Sequence, residues 1–310
     1  YAMMKWRAIG LLLLLPVSQA HAYAEPKGWL ENSKDWVQQL WRNDARQWLE
    51  RIDSAVLNNN YKGVIVLAQG PSVESFSVDH RMNKGVETRR MRTLSGAPKE
   101  LVKKGGRFQT DAQAKQGRFS LVAAPEQTTF SQFAIAADNK WYTSSLAGKS
   151  RVAERPAQVI DIKAKDKWRY SYRLWLDEET GLPLRVVTLD ERGSIVEQLV
   201  FTQIQISPAA YKSEPKQRIG MKTLESPFKE VKGFKLIAKE KQGNSRHFLY
   251  SDGLSSVSLY VEPSADLEKA QMKKDAVNGL VFGNGKTRYV VLGKVPFGTL
   301  ERFLAAAGGL

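Results

Sequence analysis

The sequence of 310 residues contains no cysteine. This absence excludes disulfide bonds, thiolate catalysis and cysteine-based metal sites. It also excludes the N-terminal cysteine that a bacterial lipoprotein needs for acylation. The fold therefore has to be stabilised by its hydrophobic core, for which 42% hydrophobic residues and eight tryptophans are sufficient.

Histidine is almost as scarce, since the chain has only three: His21, His80 and His247. No two of them have the spacing of a metal-binding motif, and no Gly-x-Ser-x-Gly sequence marks a serine nucleophile. We therefore expect no catalytic residues, no metal and no cofactor, and a protein that is not an enzyme. For His80 and His247 we expect a structural or hydrogen-bonding role.

Long hydrophobic runs are also lacking, because none approaches the roughly 20 residues that cross a bilayer as a helix. The short run Leu11–Leu15 lies behind Lys5 and Arg7 and ahead of small residues. This arrangement predicts a secretory signal peptide over residues 1–24, cleaved after Ala22 or Ala24.

Pro16 favours that cleavage over the alternative, an uncleaved membrane anchor. Residues 1–3 precede Met4 and are interpreted as a cloning remnant or as the product of an upstream start. After cleavage, the mature chain is expected to be a soluble protein of the periplasm.

Acidic residues are in the minority, with 32 against 47 basic ones and a net charge of +15. The signal peptide contains Lys5, Arg7 and no acid, so the mature charge is +15 − 2 = +13. A chain this basic is expected to bind anionic partners such as phosphates, acidic peptides or a membrane surface. Nucleic acid is excluded as a partner by the predicted compartment.

Residues 32–58 have the pattern of a helix that either runs through or breaks at 44–46. Its apolar side chains recur every three or four residues and are expected to pack against a sheet: Val37, Trp41, Ala45, Trp48, Ile52 and Val56.

From Tyr61 to Ile206 the period changes to two, in ten short segments separated by turn residues, which predicts an antiparallel sheet. The fold class is mainly β with helices (α+β). Three prolines then indicate a linker, and further strands and a closing helix from Thr299 to Ala307 follow. We predict a large domain over 25–206, a linker over 207–226 and a small β-rich C-terminal domain over 227–310.

One predicted strand, residues 168–176, is aromatic on one face and mostly polar on the other. It indicates a curved sheet with an apolar concave side, which is either filled by a helix or open to an acyl chain. The candidate cavity residues are Trp168, Tyr170, Tyr172 and Leu174.

Basic residues cluster in two segments that a turn at 96–98 could place side by side. Arginines arranged in this way grip phosphates bidentately, although a solvated face is an equally good interpretation. The candidate residues for anionic head groups are Arg89, Arg90, Arg92, Lys103, Lys104 and Arg107.

Two stretches resemble the RseB/MucB family of periplasmic regulators. The first runs from Arg169 to Asp177 and continues through Thr180–Arg185 to Gln198, and the second is Leu249–Leu259. Weaker similarity at 60–61, 74–80 and 100–102 extends the resemblance to about residues 46–307. The tryptophan-rich segment 28–42 goes beyond what the family leads us to expect, and it could cover a cavity mouth.

The resemblance implies a large domain similar to the LolA-type lipoprotein carriers, an unclosed antiparallel β-barrel wrapped around helices. It implies binding to the periplasmic domain of an RseA/MucA-type anti-sigma factor and protection of that domain from the site-1 protease. The chain would then be a negative regulator of the envelope-stress sigma factor, released by lipopolysaccharide or by acylated, lipoprotein-derived ligands.

The alternative function is a periplasmic lipid or lipoprotein carrier without a regulatory partner, and a pull-down of the anti-sigma factor separates the two. A homo-oligomer is also left open. In the second stretch, a Ser-Asp-Gly sequence is either a partner contact or a simple turn. That candidate contact consists of Tyr250, Ser251, Asp252 and Gly253.

Overall fold

The computed structural model describes residues 45–98, 100–105, 107–110, 130–212, 223–274 and 276–308. The predicted signal peptide, the tryptophan-rich segment 28–42, the first part of the predicted helix and residues 111–129 of the region predicted as a sheet lie outside these residues. All described residues belong to one unit, Gln39–Leu310. None of the helices described has the length and apolar character needed to cross a membrane.

The larger sheet contains ten antiparallel strands in the order β5-β4-β3-β2-β1-β10-β9-β8-β7-β6. Among the residues described, β5 and β6 are its two edges, so the predicted unclosed antiparallel sheet is confirmed. The strands are β1 Asn59–Gln69, β2 Ser72–Asn83, β3 Val86–Thr93, β4 Glu100–Lys104, β5 Arg107–Thr110, β6 Tyr142–Val152, β7 Arg155–Ala164, β8 Ser171–Asp177, β9 Pro183–Leu189 and β10 Ile195–Pro208.

The β1–β10 pair joins the two halves of this sheet and contains a bulge. Gly63 pairs with Ile204, while Ile65 pairs with Phe201, so β10 has one residue more than β1 over this stretch. A bulge of this kind increases the local twist and bends the strand that contains it.

Two helices fill the concave face of the larger sheet. Helix α1 spans residues 45–58, and a 3-10 helix spans Phe130–Ala137. The described part of the predicted helix 32–58 is therefore helical, and the predicted packing of its apolar side chains against the sheet is confirmed for Ala45 and Ile52. These side chains join Leu174 and Phe201 from the sheet in one core.

The smaller sheet has six antiparallel strands in the order β11-β12-β13-β16-β15-β14. Helix α2, Phe297–Ala306, packs on it through Leu300 and Phe303 and begins two residues before the predicted position. The strands are β11 Lys235–Gln242, β12 Ser245–Ser251, β13 Ser256–Pro263, β14 Leu267–Lys274, β15 Val277–Asn284 and β16 Thr287–Gly293.

The predicted strand over 168–176 was too long at its start, since β8 begins at Ser171. Arg169 is fully buried, and Trp168 and Tyr170 form contacts with the C-terminal domain instead of lining the concave face. Neither residue therefore pairs with a neighbouring strand, although the two aromatic side chains fit the alternating pattern of a strand.

Candidate functional site

Five of the six basic residues proposed for anionic head groups have described side chains, and these five lie on two faces of the larger sheet. Arg90 and Arg92 are exposed on the outer face, where Arg90 forms an ion pair with Glu100 at 3.1 Å. Arg89 and Lys103 are opposite each other on β3 and β4 and point to the inner face. The predicted hairpin does place the two basic segments side by side, but these residues do not share one face, because neighbouring residues of a strand point to opposite faces.

The two remaining candidates for anionic head groups are Lys104 and Arg107. Lys104 is exposed and pairs in register with Thr88, which places it on the outer face with Arg90. The side chain of Arg107 lies outside the described residues. The pair on the inner face therefore consists of Arg89 and Lys103.

Around Arg89 and Lys103 the inner face carries a small buried charge cluster. The carboxylate of Glu87 lies 3.0 Å from the Lys103 Nζ, 3.8 Å from the Arg89 Nε and 3.7 Å from the His80 Nε2. Two cations, Arg89 and Lys103, thus flank the carboxylate of Glu87 on this face.

An adjacent hollow combines this charge with apolar walls. With the space open to solvent counted, it contains about 270 Å³ of empty space. Helix α1 and the 3-10 helix pack on the same face of the sheet. Arg89 lines the hollow together with Tyr61, Ile65, Val78, Met91, Phe130 and Leu199.

His80 lies beneath this cluster without any exposed surface. Its ring stacks on Tyr61 at a centroid distance of 4.4 Å, and its Nδ1 donates to the carbonyl oxygen of Asn59 at 3.2 Å. Burial lowers the pKa of His80 to about 4, while nearby Glu87 raises it and Arg89 lowers it. His80 is therefore neutral near pH 7, and the predicted hydrogen-bonding role agrees with this geometry.

The pKa of His80 predicts that acid destabilises the fold. Below about pH 6.5 the unfolded chain binds a proton that the folded chain rejects until about pH 4. We therefore expect the free energy of unfolding to fall by about 2 kcal/mol between about pH 7.5 and about pH 5 through this residue. The measurement is urea denaturation of the wild-type protein and His80→Phe across this range.

His80→Phe retains the stacking on Tyr61 and should remove most of that pH dependence. His247→Phe is the matched control, since His247 stacks on Tyr260 in the smaller sheet and its burial is only partial. Parallel stability profiles for wild type and His80→Phe would show that His80 is not the group responsible.

The four proposed cavity residues do not form one wall. Tyr172 and Leu174 lie in the core of the large domain. Tyr170 instead accepts a hydrogen bond from the Asn278 Nδ2 at 2.9 Å, and the Trp168 carbonyl oxygen accepts one from the Thr299 Oγ1 at 2.5 Å. The proposal of Trp168 and Tyr170 as cavity residues is thus corrected, because both contact the C-terminal domain.

A second site is the buried junction between the two sheets, with Asp252 at its centre. The Asp252 Oδ2 accepts hydrogen bonds from the Arg169 Nε at 2.8 Å and from the Tyr142 hydroxyl at 2.9 Å. The other oxygen, Oδ1, accepts from the backbone N–H groups of Leu254 and Ser255. The carboxylate is thus fully satisfied, as a buried charge must be.

Arg169 supplies the positive charge of the junction. Its guanidinium lies between the rings of Trp141 and Phe234, at 4.7 and 5.1 Å from their centroids, and its Nη1 donates to Asp166 at 2.6 Å. The side chains of Arg169 and Asp252 are both completely buried. A buried ion pair with this many partners fixes the geometry of the groups around it.

Other contacts extend the junction on both sides. The Tyr172 hydroxyl lies 3.0 Å from the Ser255 Oγ, and burial raises the pKa of Tyr172. Lys294 forms an ion pair with Glu197 at 2.7 Å, and Glu197 also accepts a hydrogen bond from Gln69. The junction is therefore polar along its length and forms part of the folded structure.

Tyr250, Ser251, Asp252 and Gly253 were proposed as a contact with another protein or as a simple turn. The structure shows the turn, since the Ser251 Oγ donates to the Ser255 carbonyl oxygen at 2.9 Å and accepts from the Gly253 N–H at 3.0 Å. Tyr250 lies in the core of the smaller sheet, and Asp252 is bound by the large domain of the same chain. The proposal of an exposed partner contact at these residues is therefore corrected.

The residues described contain no group of three or more histidine or acidic side chains that could hold a metal ion. Sequence reasoning missed Tyr142, Arg169 and Asn278 as junction residues. Alternation places Arg169 on the polar face of a strand, which gives no signal that it is buried.

A ten-stranded and a six-stranded sheet, joined by a buried polar junction, define a protein of two antiparallel β-sheet domains. Two family models match the chain: the MucB/RseB N-terminal domain over residues 44–219 and the MucB/RseB C-terminal domain over residues 217–307. The chain belongs to the MucB/RseB family, as the resemblance of its sequence predicted.

Individual relatives span both domains. The sigma factor AlgU regulatory protein MucB of Pseudomonas aeruginosa is 29% identical over 284 residues, which cover 84% of this chain and 89% of that protein. The sigma-E factor regulatory protein RseB of Haemophilus influenzae is 26% identical over 286 residues, covering 84% and 90%.

Solved structures give the same result for the fold. The complex of Pseudomonas aeruginosa MucA and MucB contains a chain with a TM-score of 0.67 and 28% identity, covering 84% of this chain and 96% of that chain. A crystal structure of MucB matches with a TM-score of 0.62 and 29% identity, covering 85% and 97%.

Proposed function

We propose that this chain is a periplasmic negative regulator of an envelope-stress sigma factor. It binds the periplasmic domain of an anti-sigma factor of the RseA/MucA type. The observation that carries the proposal is the similarity of both domains to MucB in its complex with MucA. The predicted signal peptide at residues 1–24 supports export, and the predicted mature charge of +13 favours an acidic partner segment.

Binding of this kind acts by protection. A bound segment of the anti-sigma factor is inaccessible to the site-1 protease, so the sigma factor remains inhibited. A ligand that binds the partner-free conformation more tightly than the partner-bound one shifts the chain toward the partner-free conformation. The segment of the anti-sigma factor is then released. The partner and the ligand then oppose each other, whichever of them binds first.

We assign the anionic end of such a ligand to Arg89 and Lys103. Both are cationic side chains on the inner face of the sheet, and Arg89 lines a hollow with otherwise apolar walls. A phosphate or carboxylate group would pair with the cations, and an attached acyl chain contributes about 0.8 kcal/mol per buried CH₂ group. A whole chain needs more room than the hollow offers, so its entry has to displace a helix from the concave face.

The proposed function predicts protection in a purified system. The mature protein, the periplasmic segment of the anti-sigma factor and the site-1 protease are mixed with and without lipopolysaccharide. At about ten times its Kd, the protein leaves about a tenth of the segment free, so cleavage should slow about tenfold. Lipopolysaccharide should restore cleavage.

Two matched double variants test the assignment of the charges. Arg89→Gln/Lys103→Gln removes the inner cations and should raise the lipopolysaccharide concentration for half release about tenfold, since a hydrogen bond to a charged group contributes about 1.5–3 kcal/mol. Arg90→Gln/Lys104→Gln removes the same number of charges from the outer face and should have little effect.

The outcomes separate the proposals. No protection in the absence of lipid would contradict the regulatory function, and lipid binding without protection would favour a carrier. If the two double variants responded equally, the assignment of Arg89 and Lys103 would be contradicted, whereas the regulatory function would not.

A further inference from the structure

The turn between β12 and β13, residues 251–255, reaches out of its own domain. Leu254 is 7% exposed and belongs to the hydrophobic core of the large domain, whereas Tyr250 and Val257 on either side belong to the core of the small domain. Backbone N–H groups of the turn bind the Asp252 carboxylate, so the turn is internally braced. It is a rigid projection from one domain into the other.

This turn lies directly on the C-terminal end of the 3-10 helix Phe130–Ala137. Gly253 has a φ of +105°, and a Cβ atom there would lie 3.0 Å from both the Ile135 Cγ2 and the Asn139 Nδ2. The Asn139 Nδ2 also donates to the Asp252 carbonyl oxygen at 2.7 Å. Glycine at 253 thus allows the closest approach of the two segments.

The other end of the 3-10 helix lies at the hollow. Phe130 lines the hollow and packs near Phe201, at a centroid distance of 6.5 Å. Between the two ends, the rings of Phe133 and Tyr172 pack with their centroids 5.3 Å apart. The Tyr172 hydroxyl lies next to Ser255 of the turn. One short element therefore connects the wall of the hollow with the domain junction.

We propose that residues 251–255 form an intramolecular latch that holds the 3-10 helix on the concave face of the large domain. In the latch, Leu254 inserts into the apolar core and Asp252 is held by Arg169 and Tyr142. Opening of the domain junction releases the 3-10 helix, and with it one wall of the hollow, in a single step. The proposal concerns the free chain and does not depend on the regulatory partner.

The type of helix supports this mechanism. A 3-10 helix has poorer hydrogen-bond geometry than an α-helix and is seldom stable in long runs. The eight residues Phe130–Ala137 therefore depend on tertiary contacts, of which the turn provides one at Ile135 and another at Asn139, two residues beyond the end of the helix. Without the turn, this end of the helix loses both its apolar cover and its polar anchor.

The test is hydrogen exchange of the full mature chain, followed by mass spectrometry. If the two segments open in one step, amides in 130–137 and in 251–255 exchange with the same protection factor. In Asp252→Asn and in Leu254→Ala, exchange in both segments should rise together by at least about tenfold, the size of a typical coupling between sites. The β1–β10 pair should keep its wild-type protection.

Asp161→Asn is the matched control. Asp161 forms a two-point ion pair with Arg173 within the large sheet, away from the turn. This variant should leave the exchange of both segments unchanged. A faster exchange of 251–255 with no change in 130–137 would overturn the latch, because it would show that the turn opens alone.

A cross-link gives a second test that needs no destabilised variant. The chain has no cysteine, and Lys294 meets Glu197 across the junction at 2.7 Å. The double variant Glu197→Cys/Lys294→Cys, joined by a short bismaleimide, should slow exchange in 130–137 at least about tenfold relative to the same variant without the linker. Equal exchange with and without the linker would contradict the proposal, even if the regulatory function proves correct.

Discussion

Arg169→Met is expected to lower the free energy of unfolding by about 3–5 kcal/mol, because removal of one partner leaves a buried charge uncompensated. Asp252 would keep the hydrogen bonds from Tyr142 and from the turn but lose its cation in a fully buried position. Methionine has a similar length and can occupy the space between Trp141 and Phe234, so loss of packing is small. Urea denaturation at neutral pH measures the change.

Two further variants separate charge from packing. The double variant Arg169→Met/Asp252→Asn removes both charges and should be more stable than the sum of the single changes indicates. Arg173→Met breaks the ion pair with Asp161, in which the arginine is part-exposed, and should cost less than Arg169→Met, because solvent can partly replace the lost partner. A loss below about 1 kcal/mol for Arg169→Met would mean that the buried pair does not stabilise the junction.

Gly63→Ala is expected to destabilise the protein by about 3 kcal/mol, the upper part of the usual range for overpacking. A Cβ atom at this position would lie 2.2 Å from the carbonyl oxygen of Gln203. That oxygen belongs to the backbone of β10 at the bulge, so no side-chain rotation can relieve the clash. Thermal and urea denaturation measure the loss.

The control for Gly63 is a glycine with free space around it. Gly193 has a φ of +80°, and no heavy atom of the described residues lies within 4 Å of the place that a Cβ atom would take there. Gly193→Ala should therefore cost about 1 kcal/mol from backbone conformation alone. If Gly63→Ala were no worse than Gly193→Ala, the bulge would be able to relax, and the close approach would not constrain the sequence.

Strands with one exposed face could be predicted from the alternation of apolar and polar residues, whereas other strands could not. The segment Tyr61–Gln69 alternates and was predicted within two residues of β1. Strand β7 was missed because six consecutive residues in it are buried, so no alternation marks it. Strand β14 was missed because it is a lysine-rich edge strand in which Leu267 is 85% exposed, and such edges have a weak apolar pattern.

The candidate sites were harder to predict than the strands. On a strand, Arg90 and Arg92 share one face and Arg89 lies on the other, yet all three were proposed together as head-group ligands. At the junction, a simple turn was one of the two alternatives given for the Ser-Asp-Gly sequence, and the structure shows the turn. The partners of Asp252 are 83 and 110 residues away in the chain, so no local pattern could identify them.

By itself, the sequence determined the fold class and the absence of cysteine chemistry, because alternation, turn residues and composition are local properties of the chain. The family followed from the resemblance of two stretches to its members. The tertiary structure decided which charges are buried together. Arg169 meets Asp252, and Lys103 meets Glu87, only after the strands have paired. Burial in a folded core is a property of distant neighbours, and it makes the difference between a solvated charge and a structural one.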